Sequence, residues 1–404
     1  MRLSADVAHA VLLMWLAAAV GCSNPAAPDL QLPSASPQLV SGAGFSCLLD
    51  ARGEVVCWGR WGGVAGQPAA ATLPTRVTPG DGSLRFVTLS GFSHICALTS
   101  AGEAYCWGQN RYGQLGDGSM LPGAKPTPVA TELRFAKIAA GAYHSCAVTR
   151  DGVAYCWGQN AFAALGTGTM IEGARELRPV AVAGSVRFNA IAVGSVSCGL
   201  TAAGHAYCWG VSPGSFEPYS EPGDCVSAYF LSYVGRGCLV PTPVLGDVAY
   251  NSLSSGGLSV CGVATTGVAY CWGEGWLGTL GNGRSGPGAH AVTPVAVGSG
   301  QPFQSVSSGA SHVCGLTADG RALCWGNNFR GYLGNGEGSP GIASPVAVVG
   351  GHRFTNLAAG TSHTCALTEA AEIWCWGAGT EGQLGRSEQL GDSNVPVRVS
   401  LPPS

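Results

Sequence analysis

The sequence predicts an all-β fold, a seven-bladed β-propeller, and three observations carry that expectation. First, seven cysteine pairs recur with the same separation: Cys47/Cys57, Cys96/Cys106, Cys146/Cys156, Cys198/Cys208, Cys261/Cys271, Cys314/Cys324 and Cys365/Cys375. A Trp-Gly dipeptide follows the second cysteine of each, at Trp58, Trp107, Trp157, Trp209, Trp272, Trp325 and Trp376. Second, successive first cysteines lie 49, 50, 52, 63, 53 and 51 residues apart, and a period near fifty with several short strands per unit marks a propeller blade. Third, 63 glycines and 24 prolines with only 11 % charged residues describe short strands joined by tight turns. The 46 % hydrophobic content suffices for a large core. A net charge of −3 gives no electrostatic reason to bind nucleic acid or an anionic membrane surface.

Each cysteine pair is explained by a β-hairpin. In HSCAVTRDGVAYCWGQN, residues 144–160, the turn signal Thr149-Arg150-Asp151-Gly152 separates two short apolar runs. Placing Cys146 opposite Cys156 sets Ala147 against Tyr155 and Val148 against Ala154. Opposed residues of antiparallel strands have Cα atoms roughly 4.5–5.5 Å apart, within disulfide reach. Each pair therefore staples its own hairpin, and disulfides require an oxidising compartment. The competing reading, metal ligation, lacks a usual zinc spacing and a second Cys or His knuckle.

The chain order predicts how the ring closes. Segments led by Pro74, Pro128, Pro179, Pro243, Pro294 and Pro345 precede six blades, and the first blade has none before it. The C-terminal VPVRVSL, with Pro396, is therefore expected to complete the first blade and lock the circle, leaving no open edge.

The repeat unit reads Phe-x-x-Ile/Leu-Ala-x-Gly-x-x-His-x-Cys-Ala-Leu-Thr-x-x-Gly-x-Ala-Tyr-Cys-Trp-Gly, often followed by Gly-x-Leu-Gly-x-Gly and then Pro-Val. In HICALTSAGEAYCWGQNRYGQLG (94–116) and HVCGLTADGRALCWGNNFRGYLG (312–334) it resembles the regulator-of-chromosome-condensation repeat family over about residues 40–404. The resemblance implies a seven-bladed propeller. The paired cysteines stand where that family usually has small or apolar residues.

The N-terminus reads as an export signal. After MRLSADVAHA comes the ten-residue apolar run VLLMWLAAAV, too short to span a bilayer. Ala19-Val20-Gly21-Cys22 resembles a bacterial lipoprotein signal, although that signal prefers Leu where Ala19 stands. The resemblance implies cleavage before Cys22 and a lipid on its sulfur; an ordinary secretory signal is the alternative. The expected organisation is a signal peptide at 1–21, a lipid-attached flexible tether at 22–40, rich in Pro, Ala and Ser, and the propeller at 41–404. The expected location is the cell envelope, at the outer membrane or surface rather than the inner membrane, with membrane contact only through the anchor.

The 17 cysteines leave Cys225 and Cys238. These fall in an insertion at 211–240 that replaces the usual Gly-x-Leu-Gly loop of blade 4 and accounts for the 63-residue interval. It carries Phe216, Tyr219, Tyr229, Phe230, Tyr233 and Arg236, residue types that protein interfaces favour, on a loop that a Cys225–Cys238 staple would pre-order. These are the candidate partner-binding residues, against the bland reading of a loop folded back on the ring. The apolar loop tips Ser119-Met120-Leu121 and Thr169-Met170-Ile171 are weaker candidates for the same face. His94, His144, His312 and His363 recur at one blade position, where metal ligation is weighed against packing within the blade, and packing is favoured. The repeat tryptophans read as inter-blade packing, whereas Trp61 and Trp276 fall outside the repeat and are surface candidates.

No GxxxxGK[ST], GxSxG, HExxH or EF-hand pattern occurs, so no catalytic residue, metal or cofactor is assigned. The expectation is a monomeric, non-enzymatic scaffold that binds an envelope or extracellular protein through propeller loops. Three alternatives stand beside it. One is a glycan- or cell-wall-binding protein using exposed tryptophans. Another is an inhibitor of an enzyme, since a secreted bacterial relative of this fold inhibits β-lactamases. The third is the guanine-nucleotide exchange that the family name implies, which export and disulfides oppose.

Overall fold

The computed structural model describes residues 36–61, 71–78, 82–160, 162–171, 173–211, 225–230, 233–257, 259–386 and 390–401. Their regular structure is entirely strand, arranged as seven antiparallel sheets, six of four strands and one of five. Each sheet is a blade, and the first strands of all seven line a central channel with a cavity of about 250 Å³. This is the seven-bladed propeller that the repeat predicts.

The stapled hairpin forms the second and third strands of every blade. In blade 3, His144–Thr149 pairs with Ala154–Gln159, and Cys146 lies opposite Cys156, Ala147 opposite Tyr155 and Val148 opposite Ala154. The turn works because Gly152 adopts φ 86°, in the left-handed region that glycine enters without steric cost. Thr149 Oγ1 meanwhile accepts the Val153 amide at 3.1 Å. All seven repeat pairs are disulfides: Cys47–Cys57, Cys96–Cys106, Cys146–Cys156, Cys198–Cys208, Cys261–Cys271, Cys314–Cys324 and Cys365–Cys375. Each has a Cα–Cα distance of 4.1 Å. That is shorter than the separation expected from the sequence, and it belongs to the closer, non-hydrogen-bonded class of antiparallel pair.

Ring closure differs from the expectation. The C-terminal strand Ser393–Arg398, which contains Pro396, pairs with Ile373–Gly377 and completes the last blade, not the first. The first blade is already whole: its innermost strand is Gln38–Ser41 and its outermost, carrying Pro74, is Ala71–Arg76. The prolines therefore close the blade they follow, one blade earlier than the sequence reading placed them. The innermost strand also takes in Gln38 to Val40, which that reading assigned to the tether.

What joins blade 7 to blade 1 is the same set of contacts that joins every other pair. The turns between first and second strands hand one backbone hydrogen bond to the next blade. Ala43 N donates to Phe92 O, Ser93 N to Gly141 O, Ala142 N to Gly194 O and Ser195 N to Gly256 O; Gly257 N donates to Gly309 O, Ala310 N to Gly360 O and Thr361 N to Gly42 O. These seven bonds form a closed girdle around one mouth of the channel. The girdle explains the glycine of Gly-x-x-His. A Cβ on Gly194, Gly256 or Gly309 would strike the carbonyl oxygen of the following blade's turn, so close approach rather than backbone conformation demands glycine there.

Between the blades the core is built from the repeat tryptophans. Trp157 of blade 3 packs with Cys96, Leu98 and Leu115 of blade 2. At the seam, Trp58 and Leu39 of blade 1 pack with Ile373, Leu384 and Val399 of blade 7.

Candidate protein-docking face

Strand direction sorts the connections onto two faces. Because successive strands of a blade are antiparallel, the turns after the first strands and the long loops after the third strands open on one face, here the loop face. The stapled hairpins and the links between blades open on the other, the hairpin face.

The loops of the loop face are themselves built into the ring. In blade 2, Asn110 Oδ1 accepts the Leu115 amide at 3.0 Å while its Nδ2 donates to Leu121 O at 3.0 Å. Leu115 is thereby pinned between blades, 1 % exposed. Asn160 and Asn328 fix Leu165 and Leu333 in the same way. The indole of the next blade reads the loop's backbone: Trp157 Nε1 donates to Gln114 O, Trp325 Nε1 to Thr279 O, Trp376 Nε1 to Tyr332 O and Trp58 Nε1 to Gln383 O, each at 2.9 Å. The Gly-x-Leu-Gly loop is thus a structural lock, and only its tip is free to meet a partner.

The recurring histidines belong to this lock. His94, His144, His312 and His363 are buried, and each Nε2 meets a hydroxyl of the next blade. His94 reaches Ser145 Oγ at 2.5 Å, His144 reaches Ser197 Oγ at 2.7 Å, His312 reaches Thr364 Oγ1 at 2.8 Å and His363 reaches Ser46 Oγ at 2.7 Å. Ser145, Ser197 and Thr364 donate their one hydroxyl proton to loop carbonyls, those of Gln114, Ala164 and Tyr332. The hydroxyl must then accept from the imidazole, which assigns the neutral Nε2–H tautomer at those three interfaces. Burial pushes His94 and His363 down to about 3 and His144 and His312 down to about 4. Neighbouring imidazoles lower His94 and His363 further. The partner position was missed in the sequence, yet a signal is there. Blades that follow a histidine blade carry Ser145, Ser197, Thr364 or Ser46, and blades that follow one without it carry Ile95, Val260 or Val313.

The repeat cysteines, marked in the sequence as disulfide positions, lie in the core rather than on either face. On the second strands Cys47, Cys96, Cys146, Cys198, Cys261, Cys314 and Cys365 are fully buried. So are Cys57, Cys106, Cys156, Cys271, Cys324 and Cys375 on the third strands, while Cys208 is 9 % exposed. Cys208 stands in blade 4, where the third strand runs on toward the insertion. Oxidised in pairs, these sulfurs hold no thiolate for nucleophilic attack or metal ligation. They serve the ring as staples and packing atoms, and a docking partner does not reach them.

Apart from Leu73 and Val395, which lie on outermost strands, exposed large apolar side chains are sorted by face. Met120 (43 %), Leu121 (75 %), Tyr143 (47 %), Ile171 (63 %), Trp276 (60 %) and Phe329 (68 %) all stand on the loop face, as does Leu390. On the hairpin face the described large apolar residues are Val268, Val349 and Leu401, at 37–39 %. Charge sorts the other way. Seven of the nine ion pairs among the described residues lie at the hairpin face, including Arg76 and Arg85 on the buried Glu54 carboxylate at 3.0 and 2.9 Å. The two at the loop face, Arg60–Glu381 and Arg330–Asp392, bridge adjacent blades. The loop face thus pairs rigidly held backbones with exposed apolar tips.

Two expectations need revision here. Trp61 is only partly exposed and packs against the cluster containing Val55, Ile95 and Trp107, so of the two surface tryptophans only Trp276 stands free. In the insertion, Phe216 and Tyr219 lie outside the described residues, as do the signal peptide and residues 22–35 of the tether, Cys22 among them. Tyr229 and Phe230 lie on a strand Cys225–Phe230, and Tyr233 and Arg236 on Tyr233–Pro243. The register sets Cys225 opposite Cys238 and Ser227 opposite Arg236, and Cys238 is disulfide-bonded. Rather than a loop folded back on the ring, this part is a strand pair that widens blade 4 to five strands.

The fold and repeat define a class, the propellers built of regulator-of-chromosome-condensation repeats. Models of the "Regulator of chromosome condensation (RCC1) repeat" match residues 101–148, 319–367 and 371–404, and in a second form residues 135–163, 303–331 and 354–383. Two stretches of the chain, 101–163 and 303–404, thus carry repeats of this kind on a seven-bladed propeller. It is 34 % identical over 134 residues to the ultraviolet-B receptor UVR8 of Arabidopsis thaliana, covering 32 % of this chain and 30 % of that one. It is 33 % identical over 151 residues to the regulator of chromosome condensation of Mus musculus, covering 37 % and 35 %. The matched segments thus span about a third of these relatives. For the human ubiquitin ligase HERC2 the matched share of the relative is 3 %. Among solved structures, yeast RCC1 (Prp20), determined bound to Kap60, superimposes with a TM-score of 0.72 at 18 % identity, covering 96 % of this chain and 91 % of that one. Human WBSCR16 gives 0.71 at 19 %, covering 86 % and 95 %.

Proposed function

We propose that this protein is a non-enzymatic scaffold of the cell envelope, lipid-anchored through Cys22, that docks a partner protein on its loop face. The observation that carries the reading is the division of the surface: the large exposed apolar tips gather on one face, and most of the ion pairs on the other. Apolar side chains exposed together on one face favour an interaction site, and loops held by a rigid ring lose little entropy on docking. Protein docking also has a precedent in a relative of this fold, yeast Prp20, solved with Kap60. Export fits the stapled hairpins, because seven buried disulfides need an oxidising compartment. Among the described residues Trp276 is the one tryptophan that stands exposed, which favours a protein ligand over a cell-wall one held between tryptophans.

The test is photocrosslinking in the native envelope. A photoreactive residue replaces Trp276 or Phe329 on the loop face, and Val268 or Arg321 on the hairpin face. A partner protein crosslinked from the loop-face positions alone is the expected result. Equal labelling from both faces, or labelling from the hairpin face only, overturns the reading. Radiolabelled palmitate incorporated by the wild type and lost in Cys22→Ser checks the anchor.

A further inference from the structure

The outer edges of the blades are not alike. A strand at a sheet edge presents unpaired N–H and C=O groups to any passing chain, and proteins guard such edges with proline or charge. Six blades follow that rule on their outermost strands. These carry Pro74, Pro126 with Pro128, Pro179, Pro294, Pro345 and Pro396, and several add Lys or Arg. Each proline deletes one N–H from the edge.

Blade 4 breaks the rule in a specific place. Its fourth strand, Tyr233–Pro243, runs for 11 residues against six or seven elsewhere. One half, 239–243, holds Pro241 and Pro243, and its Leu239 carbonyl accepts the Gly168 amide of blade 3. The half without proline, Tyr233–Cys238, is covered by the fifth strand Cys225–Phe230. That fifth strand reads Cys-Val-Ser-Ala-Tyr-Phe, with no proline and no charged residue, and with the β-favouring Val, Tyr and Phe. It is the last strand of its sheet, and no described strand lies on its outer side. The pair extends past Val211, the last described residue of the third strand. Because the fourth strand begins at the loop-face end of the blade, the ribbon projects on the side of Ile171 and Trp276, in blades 3 and 5. A two-stranded ribbon is marginally stable and gains from a third strand.

We infer that Cys225–Phe230 is a docking edge at which an extended, apolar segment of a partner polypeptide adds to blade 4 as a sixth strand. The inference rests on the protein-docking reading above and names the partner's form. Backbone hydrogen bonds along about 20 Å of edge supply affinity, and alternate side chains supply selectivity. A second copy of the ring is the poorer occupant. Two rigid rings joined through six-residue strands bury far less than the roughly 1,200 Å² of a stable interface, whereas an extended segment continues across the loop face to the tips at Ile171 and Trp276.

The test uses random octapeptides displayed on phage and selected on the full-length chain with its disulfides intact. Selected peptides are synthesised and their footprints read by hydrogen exchange. Neighbouring residues of a strand aim their N–H groups to opposite sides. Of Ser227→Pro and Ala228→Pro, therefore, one removes an outward donor and leaves Tyr233–Cys238 protected. Proline-free apolar peptides that protect 225–230 and bind that variant about tenfold more weakly are expected. Three results overturn the inference. The first is a selection that enriches no peptide. The second is a set of peptides that protect the loops around Trp276 and Phe329 but not 225–230, which leaves loop-face docking standing and removes the edge. The third is a dimer in sedimentation that the proline dissolves, which assigns the edge to a second copy.

Discussion

Acidification from about pH 7.5 to about pH 5 should cost this propeller roughly 8 kcal/mol through four residues. His94, His144, His312 and His363 are buried as neutral imidazoles, each bonded through Nε2 to a hydroxyl of the next blade. Desolvation holds them at about 3 to 4, against an ordinary value of 6.5. At pH 5 the folded form therefore binds almost no proton at these sites, while the unfolded chain binds nearly four. Proton binding by an unfolded imidazole at that pH is worth about 2 kcal/mol, which gives about 8 kcal/mol for four. The sign follows from which state takes the proton: the contribution is complete above about pH 6.5 and shrinks as pH falls, until the folded sites themselves titrate near 4 and then near 3. The assay is the urea midpoint across this range with disulfides intact, together with NMR titration of the imidazole C2 protons. A midpoint that stays flat from pH 7.5 to 5, or a folded-state titration of these four rings near 6.5, refutes the reasoning.

Ser145→Ala removes the acceptor of His94 Nε2 and a donor to Gln114 O, and should lower stability by about 1–3 kcal/mol in urea unfolding. Leu115→Ala empties a site 1 % exposed and should cost about 2–5 kcal/mol in the same measurement. Replacing Cys146 and Cys156 together by alanine should cost at most about 3 kcal/mol while leaving the hairpin register intact by NMR. Deleting 393–404 strips the outer strand of blade 7 and takes Val399 from the cluster that holds Trp58. The melting temperature should fall, and hydrogen exchange should rise first in blades 7 and 1.

The hairpins were legible in the sequence because two constraints coincide: a disulfide fixes which residues face each other, and Asp151-Gly152 fixes where the chain turns. Together they leave one register, and Cys146 opposite Cys156 with Ala147 opposite Tyr155 is what forms. Blade phase was not legible. A repeat with a fixed period tells how long a unit is, not where it starts, so Pro396 could be given to the first blade or to the last. Only the pairing partner of Ser393–Arg398 decides. The strand Gln38–Ser41 was hidden for a related reason: it has no phenylalanine at its head and follows a Pro- and Ser-rich run. The four histidines could be read as structural, but three of their hydroxyl partners lie about fifty residues away and the fourth, Ser46, lies 317 residues from His363. That link exists only once neighbouring blades meet. The exposed tips illustrate the same limit. Met120, Trp276 and Phe329 look alike as isolated loop residues, and the closing of the ring puts them on one side.

Closing the circle without a shared sheet has a bearing on how such a ring can change over generations. Every blade is one uninterrupted stretch of chain, and the joint between last and first uses the same turn-to-turn hydrogen bond as the other six and the same indole-to-carbonyl bond as three of them. Duplicating or losing a segment of about fifty residues would therefore add or remove a whole unit without cutting any sheet in two. A propeller that borrows its last strand from the other end of the chain can be copied only in frame with that borrowing. Here a cut at any joint leaves every sheet whole.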